Sequence, residues 1–409
     1  MRAQGLTLTR DSHRLHAILA GVVAGFVGFT SSFAVVLTGL RAVGADPDQA
    51  ASGLLVVCVT MGAGCVLFSV GTRLPVTMAW STPGAALLAG AAVPSGGYST
   101  VIGAFIFAGA LYALTALIEP LGRGVRAIPT SLANAMLAGV LLTLCIEPFR
   151  ALADEPAAIL PVLLTWLILL RAARRWAVPG AFGAAVVVIV ATGSLDNVSG
   201  ADLVPHLSWT TPHFDVATMI AIGLPLYLVT MTSQNLPGVA VLGTFGYHAP
   251  IRPALLYTGG ATVLTAPFGG YSINLSAITA ALTAGPEAHP DPSRRWIAGT
   301  AMGVTYLVLG PLAPAGAAIA VAAPAGVIAA VAGVALIGTF GTAASAALAD
   351  LGHREAAALT FVVAASGMAV QGIGAAFWSL LAGGLLLVVL RYRVRDPHAT
   401  ELQNARSAD

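Results

Sequence analysis

From Leu15 to Arg391 the chain is a near-continuous succession of apolar runs, each about long enough to cross a bilayer and each bounded by a short polar stretch. A membrane-crossing helix needs about 20 consecutive apolar residues. A chain built of such runs has nowhere to bury them in water. Charged residues make up 9% of the sequence and hydrophobic ones 57%, against roughly 25% charged in a soluble domain. Fourteen spans are expected, at 15–40, 49–71, 75–92, 98–118, 127–146, 156–171, 177–195, 216–241, 251–267, 270–284, 295–313, 323–347, 356–371 and 373–390. The expected fold is therefore an all-α integral membrane protein, with the lipid bilayer as its first partner.

The basic residues support this count independently. All 19 are Arg. Counted from a cytoplasmic N-terminus, only Arg41 and Arg150 fall outside and the other 17 fall inside, as the positive-inside rule requires of a correct topology. Both termini are then cytoplasmic. The net charge of +2 is spread over loops, with no dense basic stripe and interleaved aromatics, so no nucleic-acid partner is expected. Cys58, Cys65 and Cys145 lie within spans without CxxC spacing and read as small packing residues, not metal ligands or disulfides. The N-terminal run lacks an A-x-A-type cleavage site and is expected to be a retained span.

The third and tenth runs are too short to cross as plain helices. One passes from Pro75 through Trp80-Ser81-Thr82-Pro83-Gly84 into an Ala/Leu run; the other passes from Pro267 through Tyr271-Ser272-Ile273-Asn274-Leu275-Ser276 into another. Each reads as a short extended segment leading into a half-helix. Lipid offers no hydrogen-bond partners, so such backbone must be buried in protein or line a cavity. Interrupted segments at corresponding places in two halves point to the substrate site of a secondary transporter. Seven spans precede the polar segment 196–215 and seven follow, so the halves enter the membrane from opposite sides: a 7+7 inverted repeat. Thr30-Ser31 echoes Thr232-Ser233, Pro75 echoes Pro267, and Ala138-Gly139-Val140 echoes Ala332-Gly333-Val334, in one order and at offsets of 202, 192 and 194 residues.

Ser81 or Thr82 is the expected cap of the first half-helix, leaving the amides of Gly84 and Ala85 free. Asn274 is the expected cap of the second, leaving those of Ser276 and Ala277 free. Helix N-termini favour an anion or a molecule with clustered acceptors. In span 8, Gln234 and Asn235 are buried amides that need several partners, and polar side chains in a span usually face a cavity or the bundle interior. Phe26, Phe29 and Phe33 form one helical stripe, which with Trp80 and Tyr271 outlines an apolar slot. None of the 17 acidic residues lies at the centre of a span, so a buried carboxylate relay is missing from the obvious places. Hydrolase, kinase and dinucleotide motifs are absent, so neither an enzyme, a metal nor a cofactor is expected.

The stretches Trp80 to Leu88, Thr232 to Leu242 and Gly269 to Ala280 resemble the signature segments of the bacterial benzoate:proton symporter (BenE) family, and the likeness runs through essentially all of the chain. That family is in turn similar to nucleobase permeases and SulP anion transporters. The resemblance implies a bacterial inner-membrane protein with a core domain of residues 15–118 and 216–313, and a gate domain of residues 127–195 and 323–390. It implies substrate held between spans 3 and 10 and alternating access by movement of core against gate. Relatives of the fold are often dimers, which makes a homodimer the assembly implied. Nucleobase permeases use carboxylates in spans 8 and 10, where this chain offers Gln234 or Asn235 and Asn274. The expected substrate-binding set is Phe29, Trp80, Ser81, Thr82, Gly84, Gln234, Asn235, Tyr271, Asn274 and Ser276. The expected activity is uptake of benzoate or a similar aromatic carboxylate with protons; a nucleobase or inorganic-anion carrier of the same fold is the alternative. Three routes stay open for the proton: on the substrate, through water and Tyr271, or through Glu147 at a span end.

Overall fold

A computed structural model describes residues 2–127, 129–194, 200–370 and 373–393. The chain is helical almost throughout. In order it forms α1 (Arg2–Thr30), α2 (Phe33–Ala42), α3 (Pro47–Thr72), β1 (Met78–Trp80), α4 (Thr82–Ala89), α5 (Tyr98–Leu117), α6 (Glu119–Ala127), α7 (Thr130–Asp154), α8 (Pro156–Ala172) and α9 (Ala177–Ala191). The second half holds α10 (Val216–Thr218), α11 (Leu224–Thr230), α12 (Leu236–Thr244), α13 (Ile251–Thr265), β2 (Ile273–Leu275), α14 (Ile278–Ala284), α15 (Trp296–Leu309), α16 (Ala313–Val321), α17 (Val327–Ala349), α18 (Arg354–Ala365), a β3–β4 hairpin (Ala369–Val370 and Ile373–Gly374) and α19 (Ala375–Arg393). Among the described residues, eight continuous helical stretches are long and apolar enough to cross a membrane. The third and tenth apolar runs are each a three-residue strand followed by a short helix, α4 or α14.

Two expected spans are less regular than their hydropathy implies. The first breaks at Ser31–Ser32, between α1 and α2. There Thr30 Oγ1 donates to Phe26 O (2.8 Å), while Ser31 and Ser32 hydroxyls donate to Gly28 O (3.3 and 3.0 Å). Consecutive hydroxyls that bond back to the preceding turn compete with the helix ladder and bend it. The eighth run stays helical from α10 to α12 but contains two π turns, Met219–Gly223 and Met231–Asn235. Such turns shift side chains off the regular register and are frequent at functional sites.

Small residues let helix backbones meet where α3 packs on α15 and α5 packs on α13. A Cβ on Gly62 would lie 2.8 Å from Gly303 O, and one on Gly303 would lie 2.7 Å from Gly62 O. The second crossing repeats this: a Cβ on Gly109 would lie 2.9 Å from Gly259 O, and one on Gly259 would lie 2.6 Å from Gly109 O. Without a hydrophobic force between helices in lipid, this close approach is what gains dispersion energy. A separate group forms where α17 packs along α7, with α8, α9, α18 and α19 around them. The polar linker ahead of α10 lies over the first group: Thr210 N donates to Pro267 O (2.7 Å), Gln49 Nε2 to Thr210 Oγ1 (2.9 Å), Ser208 N to Ser52 Oγ (3.0 Å) and His213 N to Ser99 O (3.0 Å). It thereby ties α3, α5 and the turn before β2 together.

Candidate functional site

The two strands meet as one antiparallel ladder, with Met78 opposite Leu275, Ala79 opposite Asn274 and Trp80 opposite Ile273. Pairing extends past both ends, through Ser81 N to Ser272 O and Ser276 N to Thr77 O, each 2.9 Å. A two-stranded ribbon leaves two open edges, which lipid cannot satisfy. Neighbouring helices fill them with side chains. On the β1 edge, Cys65 Sγ accepts from Met78 N at 3.0 Å and Ser69 Oγ donates to Val76 O at 2.9 Å. On the β2 edge, Asn235 Oδ1 accepts from Leu275 N at 3.0 Å and Thr262 Oγ1 accepts from Ile273 N at 3.4 Å. Cys65 is thus buried and free, as expected, and also a hydrogen-bond partner of the strand.

Alternation along a strand sorts the side chains by face. Thr77, Ala79 and Ser81 share one face with Ser272, Asn274 and Ser276, while Met78 and Trp80 share the other with Ile273 and Leu275. One face is therefore hydroxyl and amide, the other apolar. The polar face is mostly closed by its own contacts: Ser81 Oγ lies 2.7 Å from Thr230 Oγ1, and Ser272 Oγ lies 2.8 Å from the Tyr112 hydroxyl. Asn274 differs. Its Nδ2 donates to Leu275 O at 2.8 Å, but Oδ1 is buried without a partner, as is Thr77 Oγ1.

The half-helix starts correct the expected capping. Ser81, not Thr82, caps α4, and its Oγ accepts from Gly84 N at 3.0 Å while its carbonyl accepts from Ala85 N at 2.8 Å. Neither of those amides is free. Gly84 leaves room for the cap, since a Cβ there would sit 2.5 Å from Leu226 Cδ1 and 2.7 Å from Ser81 Oγ and would displace those side chains. Asn274 does not cap α14; it is one residue of β2, pointing along the ladder. Ser276 takes the capping role, accepting from Thr279 N at 3.2 Å, and its own amide is spent on Thr77 O. The other end of α14 is closed by the buried Arg295, whose guanidinium donates to Ala284 O and His289 O, each at 2.8 Å. In the loop between, Ser293 N and Oγ donate to Asp291 and hold its carboxyl below the usual range. Ser81→Ala should lower stability by about 0.5–2 kcal/mol, the range for a lost cap; a thermal melt in detergent equal to that of the unaltered protein would contradict this role.

The aromatic slot is partly as expected. Trp80 donates from Nε1 to Ser32 Oγ at 2.7 Å, its ring lies 5.5 Å from Phe29, Phe29 lies 5.2 Å from Phe33, and Phe33 meets Phe182 at 5.7 Å. Phe26 leaves the stripe: it is exposed and sits against Trp176. Phe26 and Phe29 diverge within α1 itself, while Phe29 and Phe33 stay in contact across the break at Ser31–Ser32. Tyr271 is fully buried, donates to Ser81 O at 3.2 Å and faces Phe105. Thr82 lies at the start of α4, partly exposed. In the second π turn, Asn235 is a strand-holding residue, with Nδ2 to Met231 Sδ at 3.4 Å. Its neighbour Gln234 is only 6% exposed and has no hydrogen-bond partner among the described residues. Ser32, Tyr112, Ser272 and Cys65 were not legible as site residues; the only signal was hydroxyls at alternate positions in the two broken runs.

Cavities flank this assembly. One of about 350 Å³ opens between the end of α4 (Leu87, Gly90), α7 (Val140, Glu147) and the start of α19 (Ala375). Another, of about 770 Å³, is lined by Asp46, Asp48, His206 and Ala317. The ladder itself is enclosed.

An apolar helical bundle built around two strand-and-half-helix elements is the architecture of a membrane transporter. The transmembrane domain of a cyanobacterial bicarbonate transporter, BicA, has a similar fold, with a TM-score of 0.60 at 16% identity over 90% of this chain and 97% of that one. Murine Slc26a9, an anion transporter solved in the inward-facing state, gives 0.59 at 12% identity over 92% of this chain and 68% of that one. Residues 11–389 match the family of the benzoate membrane transport protein, BenE. The chain is 38% identical to the inner membrane protein YdcO of Escherichia coli over 376 residues, 91% of this chain and 95% of that protein. It is 27% identical to the benzoate membrane transport protein of Acinetobacter baylyi over 94% of this chain and 97% of that protein. The chain belongs to the BenE benzoate transporter family.

Proposed function

We propose that this protein imports benzoate or a close aromatic carboxylate together with protons, by alternating access across a bacterial inner membrane. The carrying observation is the ring cluster of Phe29, Phe33 and Trp80 beside a ladder that displays hydroxyls and amides on its other face. The apolar face matches a ring and the polar face a carboxyl, and one molecule reaches both only across an end of the ladder. Phe29, Trp80, Ser81, Thr82, Gly84, Gln234, Tyr271, Asn274 and Ser276 are the residues proposed to surround the substrate, with Asn235 holding the strand. Importing an anion against an inside-negative potential costs about 2.3 kcal/mol per 100 mV. One proton per anion removes that cost.

The proposed architecture is fourteen crossings in two inverted halves, with both termini cytoplasmic. Supporting it, the α3–α15 and α5–α13 glycine crossings exchange under the repeat, since Gly62 corresponds to Gly259 and Gly109 to Gly303 at offsets of 197 and 194 residues. The packing of α7 to α9 with α17 to α19 supports a gate distinct from a core of the remaining helices. A homodimer is the proposed assembly. The test is radiolabelled benzoate uptake into proteoliposomes with an inward proton gradient, challenged by unlabelled benzoate, uracil and sulfate. Gradient-stimulated uptake displaced by benzoate alone is expected. Absence of uptake in tight vesicles, or displacement by uracil or sulfate, would move the assignment to another substrate of this fold.

A further inference from the structure

We infer that the site takes the aromatic acid in its neutral, protonated form, with the carboxyl O–H donating to Asn274 Oδ1, so that the proton crosses on the substrate. This rests on the substrate reading above and narrows it. The observation is the orphaned acceptor. Asn274 Nδ2 faces Leu275 O, a carbonyl that demands a donor, so the amide cannot be turned the other way. Its Oδ1 is left buried and unpartnered, and an unmet acceptor at membrane depth calls for a donor. A carboxylate has none to give; a carboxylic acid has one.

Three further features point the same way. Ala79, directly opposite Asn274 and on the same face, is partly exposed, as are Thr82 and Ala277 at the starts of α4 and α14. They leave the polar face less tightly covered at the residue paired with Asn274 and at the two half-helix starts. Three of the four amides expected to be free for an anion are engaged: Gly84 by Ser81 Oγ, Ala85 by Ser81 O and Ser276 by Thr77 O; Ala277 N is left over, and Thr279 N, two residues further on, is taken by Ser276 Oγ. Finally, no Asp or Glu is buried among the described residues, and the buried Arg295 is committed to Ala284 and His289 at the far end of α14. An anion would be desolvated here without a countercharge, whereas the head of the neutral acid needs only an acceptor. The balance is simple: the acid binds with its O–H intact, crosses, and dissociates to carboxylate and proton in the cytoplasm. Each cycle moves one proton and no net charge.

The test is benzoate binding to the purified full-length protein between pH 5 and pH 8, with benzamide and benzenesulfonate as competitors. A carboxyl of pKa about 4 loses its protonated fraction tenfold per pH unit above that value. The apparent Kd for benzoate should therefore rise about tenfold per unit, since only the competent form binds. Benzamide, a permanently neutral N–H donor, should compete with a potency that does not change with pH, and benzenesulfonate, an anion throughout, should not compete. At pH 7, ring-substituted benzoates should weaken about tenfold per unit of lowered substrate pKa, which a protonated protein group would not produce. Asn274→Leu should weaken benzoate and benzamide alike by about 10- to 100-fold, the range for a lost buried hydrogen bond. A Kd that is flat with pH, displacement by benzenesulfonate, or undiminished affinity in Asn274→Leu overturns the inference while leaving an aromatic-acid carrier standing. No benzoate binding at any pH by protein with a cooperative melt removes both. Should Asn274→Leu fail to fold, the pH and competitor series on the unaltered protein decides alone.

Discussion

Gly259→Val is expected to lower the yield and stability of folded protein sharply, while Gly260→Ala, one residue further along α13, leaves it intact or slightly more stable. At Gly259 an added Cβ would lie 2.6 Å from Gly109 O and 2.7 Å from Ala113 N. Both are backbone atoms of α5, and backbone in a packed helix cannot step aside as a flexible side chain can. Overpacking of this kind costs up to about 3 kcal/mol and sometimes more, a large part of the margin of any fold. Forcing α13 and α5 apart also moves Thr262, whose hydroxyl accepts from the β2 strand. Around Gly260 no atom lies within 4 Å of an added Cβ, so Ala there gains about 1 kcal/mol of helix propensity with nothing to displace. Size-exclusion profiles of the detergent-solubilised variants read the difference. A sharp, monodisperse peak for Gly259→Val would mean that the α5–α13 crossing is looser than its geometry.

What the sequence disclosed and what it hid divide along a physical line. Hydropathy reports residence in lipid, so the long runs and the two interrupted ones were legible, and Pro75, Pro267 and the Gly-rich turns placed the breaks close to where β1 and β2 lie. Cap chemistry was half legible. Ser81 was one of two candidates because Pro83 fixes the first turn, but Asn274 was assigned by residue type alone, and strand pairing outranked that preference. No local signal says that two three-residue strands 195 positions apart will pair, as Ala79 and Asn274 do. Without that pairing, the sorting of Thr77, Ser81, Ser272 and Ser276 onto one face stays hidden. The break at Ser31–Ser32 was similarly out of reach, since hydroxyl back-bonds are common in apolar helices and the sequence does not say which of them will bend the chain.

The same pairing explains why the broken backbone is tolerable. Each strand has one edge met by the other and one met by side chains: Cys65 and Ser69 of α3 for β1, Asn235 and Thr262 for β2. The two halves of the chain thus complete one another at the ladder. A movement that separated β1 from β2 would orphan the backbone groups of the whole ladder, including Ser81 N, Ser272 O, Ser276 N and Thr77 O, away from water, so the ladder is expected to travel as a unit with α3 and α13. The cavity between α4, α7 and α19 lies where the proposed core meets the proposed gate.

The adjacent amides of span 8 should therefore behave in opposite ways. Asn235→Leu removes the acceptor of Leu275 N and leaves a strand amide unpaired at membrane depth, a loss of about 1–3 kcal/mol that falls on the segment positioning Asn274. Transport should drop to background and the melting temperature should fall with it. Asn235→Asp keeps an acceptor of the same reach and should retain the strand and a large part of the stability lost in Asn235→Leu. Gln234 has no partner to lose among the described residues. Its amide atoms are not among the fully buried unpartnered ones, so Gln234→Leu breaks no internal hydrogen bond and should melt at about the same temperature. If Gln234 is kept polar for the substrate, the same change should cut uptake by about tenfold or more, the effect of one lost hydrogen bond in a closed site. Paired measurements of melting temperature and benzoate uptake separate the two roles: a destabilised Gln234→Leu would make it structural glue like its neighbour, and a stable, fully active one would place it outside the substrate path.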